Sequence, residues 1–240
     1  MAQWYENWFD EDYLELYPNR NQDEARRAIH SILPLMSSMP KGPMLDLACG
    51  QGRHLTLLSE IYADTFGIDL SLILLKKIPY PYRSQAICAN MLQLPVKPSS
   101  LSAVFMWFTS FGYFDEADNR AVIKKISKTL KPNGFFLVDL LNEKLIRQSL
   151  IHEDTIETDN YRFFNQRRLE GSILTKDVVI TRKSTGSQRR IQERLRLYSP
   201  EEMTNLMSSS NLRLKLTLGD YDGNSFHPSS PRWIGIYQHS

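Results

Sequence analysis

Cysteine is scarce in this chain, and its scarcity excludes two classes of site. The 240 residues include two cysteines, Cys49 and Cys88, too few for a disulfide framework or a four-cysteine zinc site. Long hydrophobic runs are also missing, and the apolar run at 103–108 is far shorter than the roughly 20 residues that span a bilayer. The first residues, MAQWYENWFDEDYLELY, are acidic and aromatic, unlike a signal or transit peptide. We therefore expect a cytoplasmic protein with reduced thiols and no membrane partner.

Net charge is small, formally +2, but it is unevenly distributed along the chain. Residues 162–196 hold ten Arg and Lys against three Asp and Glu, whereas residues 1–30 hold seven acids against three Arg. A basic segment of this kind is typical either of a nucleic-acid contact or of the solvated face of a sheet. Its arginines alternate with Ile191, Leu195 and Leu197, which favours the sheet.

The pattern of strands and helices predicts the fold. Hydrophobic residues make up 42% of the chain and charged residues 23%, as in an ordinary soluble globular protein. Strand-like segments at 44–47, 65–69, 85–88, 103–107 and 135–139 alternate with helical ones, such as 23–39 and 53–62. This alternation predicts a Rossmann-like, doubly wound α/β fold with a mostly parallel sheet and helices on both faces.

After about residue 145 the alternation gives way to antiparallel strands. We read 161–169, 174–183 and 189–198 as three strands, followed by a helix that starts after Ser199 and by strands at 212–218 and 233–237. We predict a single domain over 1–240, with an N-terminal helical lid at 1–40 and an inserted antiparallel β subdomain at 150–198, between strand 5 and the last helix. The insertion is a candidate lid or homodimer surface.

A glycine loop, LDLACGQGRH at 45–54, is the most informative segment. It lies between a predicted strand and helix, where parallel sheets bind ligands. Gly50 and Gly52 let the backbone pass close to a ligand, and the helix N-terminus adds N–H donors. Asp46 only accepts hydrogen bonds, so it suits a cationic ligand and opposes a phosphate. Asp69, at the end of the second strand, can accept both hydroxyls of a ribose.

These segments resemble the motifs of class I S-adenosylmethionine-dependent methyltransferases. The loop resembles their first motif, with Ala48 where the first of three glycines often stands. Residues 67–71 resemble the second motif, whose acid holds the ribose. Residues 89–95 resemble the segment that contacts adenine, with Asn90 in place of the usual acid. The tail at 219–233 resembles the closing strand pair of one bacterial small-molecule branch of the family.

The resemblance implies S-adenosyl-L-methionine as cofactor and assigns roles to particular residues. Asp46 would face the ammonium group or a hydrogen-bonded water beside it, and Phe108 would lie near the sulfonium, where an aromatic ring could offer a cation–π contact. Arg20 and Tyr17 would face the carboxylate if the N-terminal segment folds over the site. The candidate cofactor-binding residues are Tyr17, Arg20, Asp46, Ala48, Gly50, Gly52, Asp69, Leu70, Asn90, Met91 and Phe108. The N-terminal aromatics are either a lid over this site or a helix face packed on the core.

The acceptor side is less defined by the sequence. Residues near the strand ends that face the cofactor are candidate substrate-binding residues, each with an alternative role as a loop hydrogen-bonder: Tyr113, Asn142, Tyr221, Asp222 and Arg232. No spacing typical of a Ser/His/Asp triad or a metal site stands out, so we assign no catalytic base and no metal.

Four functions remain open on this evidence. The first is methyl transfer to an N or O atom of a small-molecule acceptor, and this is the function we expect. The second is RNA methylation through the basic 162–196 segment, although no separate RNA-binding module is recognisable. The third is a non-catalytic S-adenosylmethionine-binding regulator. The fourth, a dehydrogenase, is disfavoured because Leu55 stands where G-x-G-x-x-G needs a small residue.

Overall fold

The computed structural model describes residues 3–17 and 20–240. Its helices are α1 (Glu11–Leu16), α2 (Gln22–Ile32), α3 (Arg53–Ile61), α4 (Leu72–Leu75), α5 (Glu116–Thr129), α6 (Glu143–Ser149) and α7 (Pro200–Ser208). Its strands are β1 (Met44–Leu47), β2 (Thr65–Asp69), β3 (Ala86–Cys88), β4 (Leu101–Met106), β5 (Leu130–Leu141), β6 (Glu153–Glu157), β7 (Tyr161–Glu170), β8 (Ile173–Arg182), β9 (Gln188–Arg196), β10 (Leu212–Leu218) and β11 (Arg232–His239).

The main sheet has seven strands in the order β10-β11-β5-β4-β1-β2-β3. Strands β1 to β5 run parallel, and β11 pairs antiparallel with both β5 and β10. The strand order reverses between β1 and β4, so the carboxyl ends of these strands form the crevice where open α/β sheets bind ligands. The predicted α/β fold is confirmed.

Burial explains why the central strands form. Every residue of β1 and of β4 is buried, as expected for strands covered by helices on both faces. Asp115 and Ser199 cap α5 and α7 through their side chains, and the start of α7 agrees with the helix that the sequence predicts after Ser199. The helix predicted at 23–39 is shorter, because Pro34 lacks an N–H donor and the chain continues as a 3-10 helix at Leu33–Met36.

A second sheet of four antiparallel strands, β6-β7-β8-β9, lies between α6 and α7 in the chain. The sequence predicts three of these strands and misses β6, whose EDTIE sequence has one strongly hydrophobic residue. A turn at Thr185-Gly186 joins β8 and β9, and Gly186 has a positive φ of 68° there.

The N-terminal segment packs on the second sheet. Trp8 and Leu16 form a buried cluster with Phe163, Val178 and Ile180 of β7 and β8. The N-terminal aromatics therefore have a packing role of their own on the insertion. Within the described ranges, no helix is long and apolar enough to cross a membrane.

Candidate functional site

The glycine loop between β1 and α3 is held by a carboxylate from β2. Asp69 accepts hydrogen bonds from the Gly50 N–H at 2.8 Å and from the Ser71 N–H at 2.7 Å. Ala48 and Gly50 both have left-handed backbones, with φ of 62° and 55°. Ala48, at the position where the first motif often has glycine, therefore has the backbone conformation that glycine adopts most easily. Asp69 thus fixes the loop as well as facing the site.

Asp46 is a buried carboxyl group without a full set of partners. It is 2% exposed, and its Oδ2 has no hydrogen-bond partner among residues 3–17 and 20–240. Burial, and secondarily the nearby negative charge of Asp69, raises the pKa of Asp46 to about 7. An unpartnered buried carboxyl oxygen is costly unless a ligand supplies a donor, so Asp46 suits a cationic group.

A first cavity lies over this loop and brings most of the predicted cofactor residues together. It is lined by the glycine loop, the end of β2, the start of the segment after β3, and the N-terminal segment. The predicted residues in its wall are Tyr17, Arg20, Asp46, Ala48, Gly50, Asp69, Leu70, Asn90, Met91 and Phe108. Asn90 also caps the 3-10 helix after it, accepting from the Leu92 N–H at 2.8 Å.

Gly52 is the exception among these predictions. It does not line the cavity but is the N-cap of α3, with a φ of 78°. A Cβ at this position would lie 3.0 Å from Cγ1 of Ile78. The turn and close packing therefore explain the glycine, and the prediction that Gly52 lies against a ligand stays a prediction.

Arg20 lies between two aromatic rings at the edge of the first cavity. Its guanidinium carbon is 3.8 Å from the centre of the Tyr17 ring and 4.1 Å from that of Phe108. Its side chain also donates to the Tyr13 hydroxyl. Burial lowers the pKa of Arg20 to about 10, so the side chain stays charged at neutral pH. The cation–π contact expected of Phe108 is thus made with arginine in this structure.

A second cavity of about 580 Å³ adjoins the first. The two share a wall that includes Tyr17, Arg20, Phe108 and Tyr113. Of the predicted substrate residues, Tyr113 and Arg232 line this second cavity. Its far side is built by the inserted sheet, which contributes Arg167, Lys176 and Glu193 among others.

Three predicted substrate residues lie outside both cavities. Asn142 is 1% exposed, and its amide donates to the Pro228 and Ser230 carbonyls at 2.9 and 2.8 Å. Tyr221 is also buried, and its hydroxyl donates to Asp139 at 2.5 Å. Asp222 is exposed and 3.8 Å from Arg27. In this structure the three side chains contact protein groups, a loop for Asn142, buried Asp139 for Tyr221 and exposed Arg27 for Asp222, and their predicted contact with the acceptor stays a prediction.

Asp139 organises the region behind Phe108. It is fully buried, and it accepts from the Phe108 N–H at 2.6 Å and from the side chains of Tyr221 and Arg232. Arg232 also donates to the Thr109 hydroxyl at 2.8 Å. Phe108 and Thr109 both have positive φ, 57° and 63°, a strained conformation that these hydrogen bonds maintain.

Two functional candidates on the inserted sheet were missed by the sequence reasoning. Lys176 and Glu193 stand in the second cavity, where Lys176 donates to the Tyr17 hydroxyl at 2.8 Å and that hydroxyl donates to Glu193 at 3.0 Å. Burial lowers the pKa of Lys176 to about 8. The sequence pattern could have identified them, because apolar and polar residues alternate along both strands and each of these charged residues stands at an inward-facing, apolar position.

Comparison with known proteins identifies similar chains. Residues 44–134 match the family described as a methyltransferase domain. The dTDP-3-amino-3,4,6-trideoxy-alpha-D-glucopyranose N,N-dimethyltransferase of Streptomyces venezuelae is 29% identical over 133 residues, 53% of this chain and 54% of that protein. The matched segment covers 54% of the length of that protein and 66% of the length of a second curated relative, so the chain spans less than two thirds of either.

Solved structures share the fold over nearly the whole chain. An S-adenosylmethionine-dependent methyltransferase from Clostridium acetobutylicum has a TM-score of 0.79 at 18% identity, covering 95% of this chain and 96% of that one. The CcbJ methyltransferase from Streptomyces caelestis has a TM-score of 0.77 at 21% identity, covering 90% of this chain and 95% of that one. The likeness therefore includes the inserted sheet as well as the main one.

Proposed function

Since residues 44–134 match a methyltransferase domain within a class I methyltransferase fold, we propose that the chain transfers a methyl group from S-adenosylmethionine to an N or O atom of a small-molecule acceptor. The cofactor supplies an activated methyl group on a positively charged sulfur. The chain's own residues hold two molecules in line and exclude water. The proposal rests on the burial of the Asp46 carboxyl group beside the glycine loop, with an oxygen that has no hydrogen-bond partner in the described part of the chain.

The residues of the first cavity fit the parts of this cofactor. Asp46 accepts from its ammonium group, and that positive charge favours the ionised form of the carboxyl. Arg20, whose Nε has no partner within the described part of the chain, faces its carboxylate. Asp69 retains acceptor capacity for the ribose hydroxyls beyond its two backbone contacts. Asn90 and Met91 lie where the adenine edge belongs.

The second cavity is where we place the acceptor. Its volume of about 580 Å³ is in the range of small-molecule sites, and its wall is mainly aromatic and aliphatic with a few charged groups. Arg20, Phe108 and Tyr113 line both cavities, so the two ligands meet along that wall. The relative from Streptomyces venezuelae is named for methylating an amino sugar, which supports nitrogen as the accepting atom here.

An RNA acceptor is disfavoured by how the basic segment is used. Six of its ten cations pair with acids of the same chain: Arg162 and Lys183 with Glu157, Arg167 with Asp154, Arg168 with Asp177, Arg189 with Asp10 and Asp12, and Arg196 with Glu202. A side chain already paired with a carboxylate contributes less to a phosphate contact than a free one. We therefore infer that the segment stabilises the insertion on its neighbours.

Turnover with defined acceptors tests the proposal. The purified chain is incubated with S-adenosylmethionine and panels of small amines, amino sugars and alcohols, and S-adenosylhomocysteine formation is measured. A parallel reaction at low salt contains a mixed transfer-RNA pool as the acceptor in place of the small molecules. Turnover with a small molecule, absent in a cofactor-only control, supports the proposal. Methylation of RNA alone overturns it, and binding of the cofactor with no turnover on any panel supports a non-catalytic regulator.

A further inference from the structure

Three charged residues form one row across the inserted sheet. In the strand register Arg167 of β7 lies opposite Lys176 of β8, and Lys176 lies opposite Glu193 of β9. All three side chains line the second cavity. On β8 the neighbours of Lys176 on the same face are Leu174 and Val178, both buried, so the lysine interrupts an apolar stripe.

The two outer members of the row already have partners. The guanidinium of Arg167 contacts both carboxylate oxygens of Asp154, at 3.1 and 3.3 Å. Glu193 accepts from the Trp8 indole at 2.6 Å and from the Tyr17 hydroxyl at 3.0 Å. Their hydrogen-bonding capacity is thus largely used by the protein itself.

Lys176 is left with a charge that the protein does not balance directly. It is 7% exposed, and among residues 3–17 and 20–240 its amine makes one hydrogen bond, the 2.8 Å contact to the neutral Tyr17 hydroxyl. No carboxylate oxygen lies within 4.0 Å of its amine among residues 3–17 and 20–240. An ammonium group has three donors, so two are available to a ligand in the cavity.

The charges around Lys176 favour an anion there. Glu193 and Asp154 face it with negative charge, while Arg167 and Arg20 face it with positive charge. Asp154 is paired with Arg167, whereas Glu193 is hydrogen-bonded to the neutral side chains of Trp8 and Tyr17, which do not offset its negative charge. Lys176 and Arg20 are therefore two cations facing one unpaired carboxylate, and neither lies within 4.0 Å of a carboxylate oxygen among residues 3–17 and 20–240. A buried cation of this kind is costly unless an anion accompanies it.

We propose that Lys176 binds an anionic group, a carboxylate or a phosphate, on the methyl acceptor. This inference rests on the proposed function, since it concerns the molecule that occupies the second cavity. Lys176 then acts as a specificity-determining residue: it selects acceptors with a negative charge and orients them along the cavity.

The test compares charged and neutral probes that share a phenyl ring. Benzoate, phenyl phosphate and benzamide are each titrated by calorimetry into the chain, with and without saturating S-adenosylhomocysteine. We expect benzoate or phenyl phosphate to bind at least tenfold more tightly than benzamide, and the tighter of the two identifies a carboxylate or a phosphate as the natural group. Equal binding of all three, or no binding of the anions at millimolar concentration, overturns the proposal without any variant.

Variants then assign the effect to the residue. Lys176→Met should weaken binding of the favoured anion at least tenfold, whereas Lys176→Arg, which keeps the charge, should retain it. Lys183→Met is the matched control, because Lys183 is exposed, follows the same strand and pairs with Glu157. If Lys176→Met binds the anion as well as the wild type does, the proposal is wrong. Titration with S-adenosylhomocysteine alone reports separately on the proposed function.

Discussion

Lys176 and Tyr17 are joined by a hydrogen bond of 2.8 Å between the amine and the phenolic hydroxyl, across 159 positions of sequence. The same hydroxyl donates to Glu193 at 3.0 Å. The Tyr17 ring also stacks against Arg20 at the edge of the first cavity. This one side chain therefore connects the inserted sheet, the second cavity and the first cavity.

Replacing Tyr17 by Phe should destabilise the folded chain. The variant keeps the ring against Arg20 but removes the hydrogen-bond partner of buried Lys176 and one of the two side chains that donate to Glu193, a loss of about 1–3 kcal/mol in the free energy of unfolding. Urea denaturation measures it. Tyr80→Phe is the control, since Tyr80 is 88% exposed, and its unfolding midpoint should match the wild type. Equal stability of Tyr17→Phe and the wild type would contradict the hydrogen-bonded chain.

Asp69→Ala should weaken S-adenosylmethionine binding at least tenfold, about 1.4 kcal/mol. The carboxylate accepts from the Gly50 N–H and is proposed to accept from the ribose hydroxyls, so its loss should loosen the loop and remove that proposed contact. Calorimetry with S-adenosylhomocysteine measures the change. Asp64→Ala, at an exposed position before the same strand, should bind normally. Unchanged affinity in a folded Asp69→Ala variant would remove Asp69 from the site.

Asp46→Asn should stabilise the ligand-free chain above pH 7 while weakening cofactor binding. The folded pKa of about 7 lies above the ordinary value of 3.8, so the folded state holds the proton more tightly. The stability that this provides is present below pH 4 and is lost as pH rises toward and through 7. The amide carries no charge and escapes that loss.

Thermal melts at pH 4, 6 and 8 test the sign of this effect. The difference in melting temperature between Asp46→Asn and the wild type should grow with pH, and the variant should bind S-adenosylhomocysteine at least tenfold more weakly. A difference that is constant across the three pH values would show that Asp46 is already ionised in the folded chain at low pH.

Asp139→Ala should be among the most destabilising single changes in the chain. It removes the acceptor for the Phe108 N–H and the Tyr221 hydroxyl and leaves Arg232 buried without its carboxylate. Breaking a buried pair in this way costs about 3–5 kcal/mol. Asp222→Ala is the contrast, because its pair with Arg27 is solvent-exposed on both sides. Similar urea midpoints for the two variants would refute the role given to Asp139.

The fold predicted from the sequence is confirmed, and the predicted resemblance to methyltransferases agrees with the match of residues 44–134 to a methyltransferase domain. The prediction succeeded because the strands of a parallel sheet are continuous apolar runs and because carboxylates at their ends meet at one edge. For that reason Asp46 and Asp69 lie near the carboxyl ends of two neighbouring parallel strands. Ala48 could also be placed, since the loop demands one conformation there whichever residue occupies it.

Hydrogen-bond partners across the chain could not be predicted in this way. Asn142 and Tyr221 lie near the predicted edge of the sheet. However, the Asn142 amide donates to carbonyls of the loop at 228–230, and the Tyr221 hydroxyl donates to Asp139. A strand end specifies position and not the direction of a side chain. Lys176 and Glu193 could have been found, because a charge on the apolar face of a strand always requires a partner.

Calorimetric titration of the purified chain with S-adenosylhomocysteine tests the central claim most directly. We expect saturable binding to a single site, abolished or weakened at least tenfold by Asp46→Asn and by Asp69→Ala but not by Asp64→Ala. Absence of any saturable heat in the folded wild-type chain, or equal affinity in all four proteins, would contradict it.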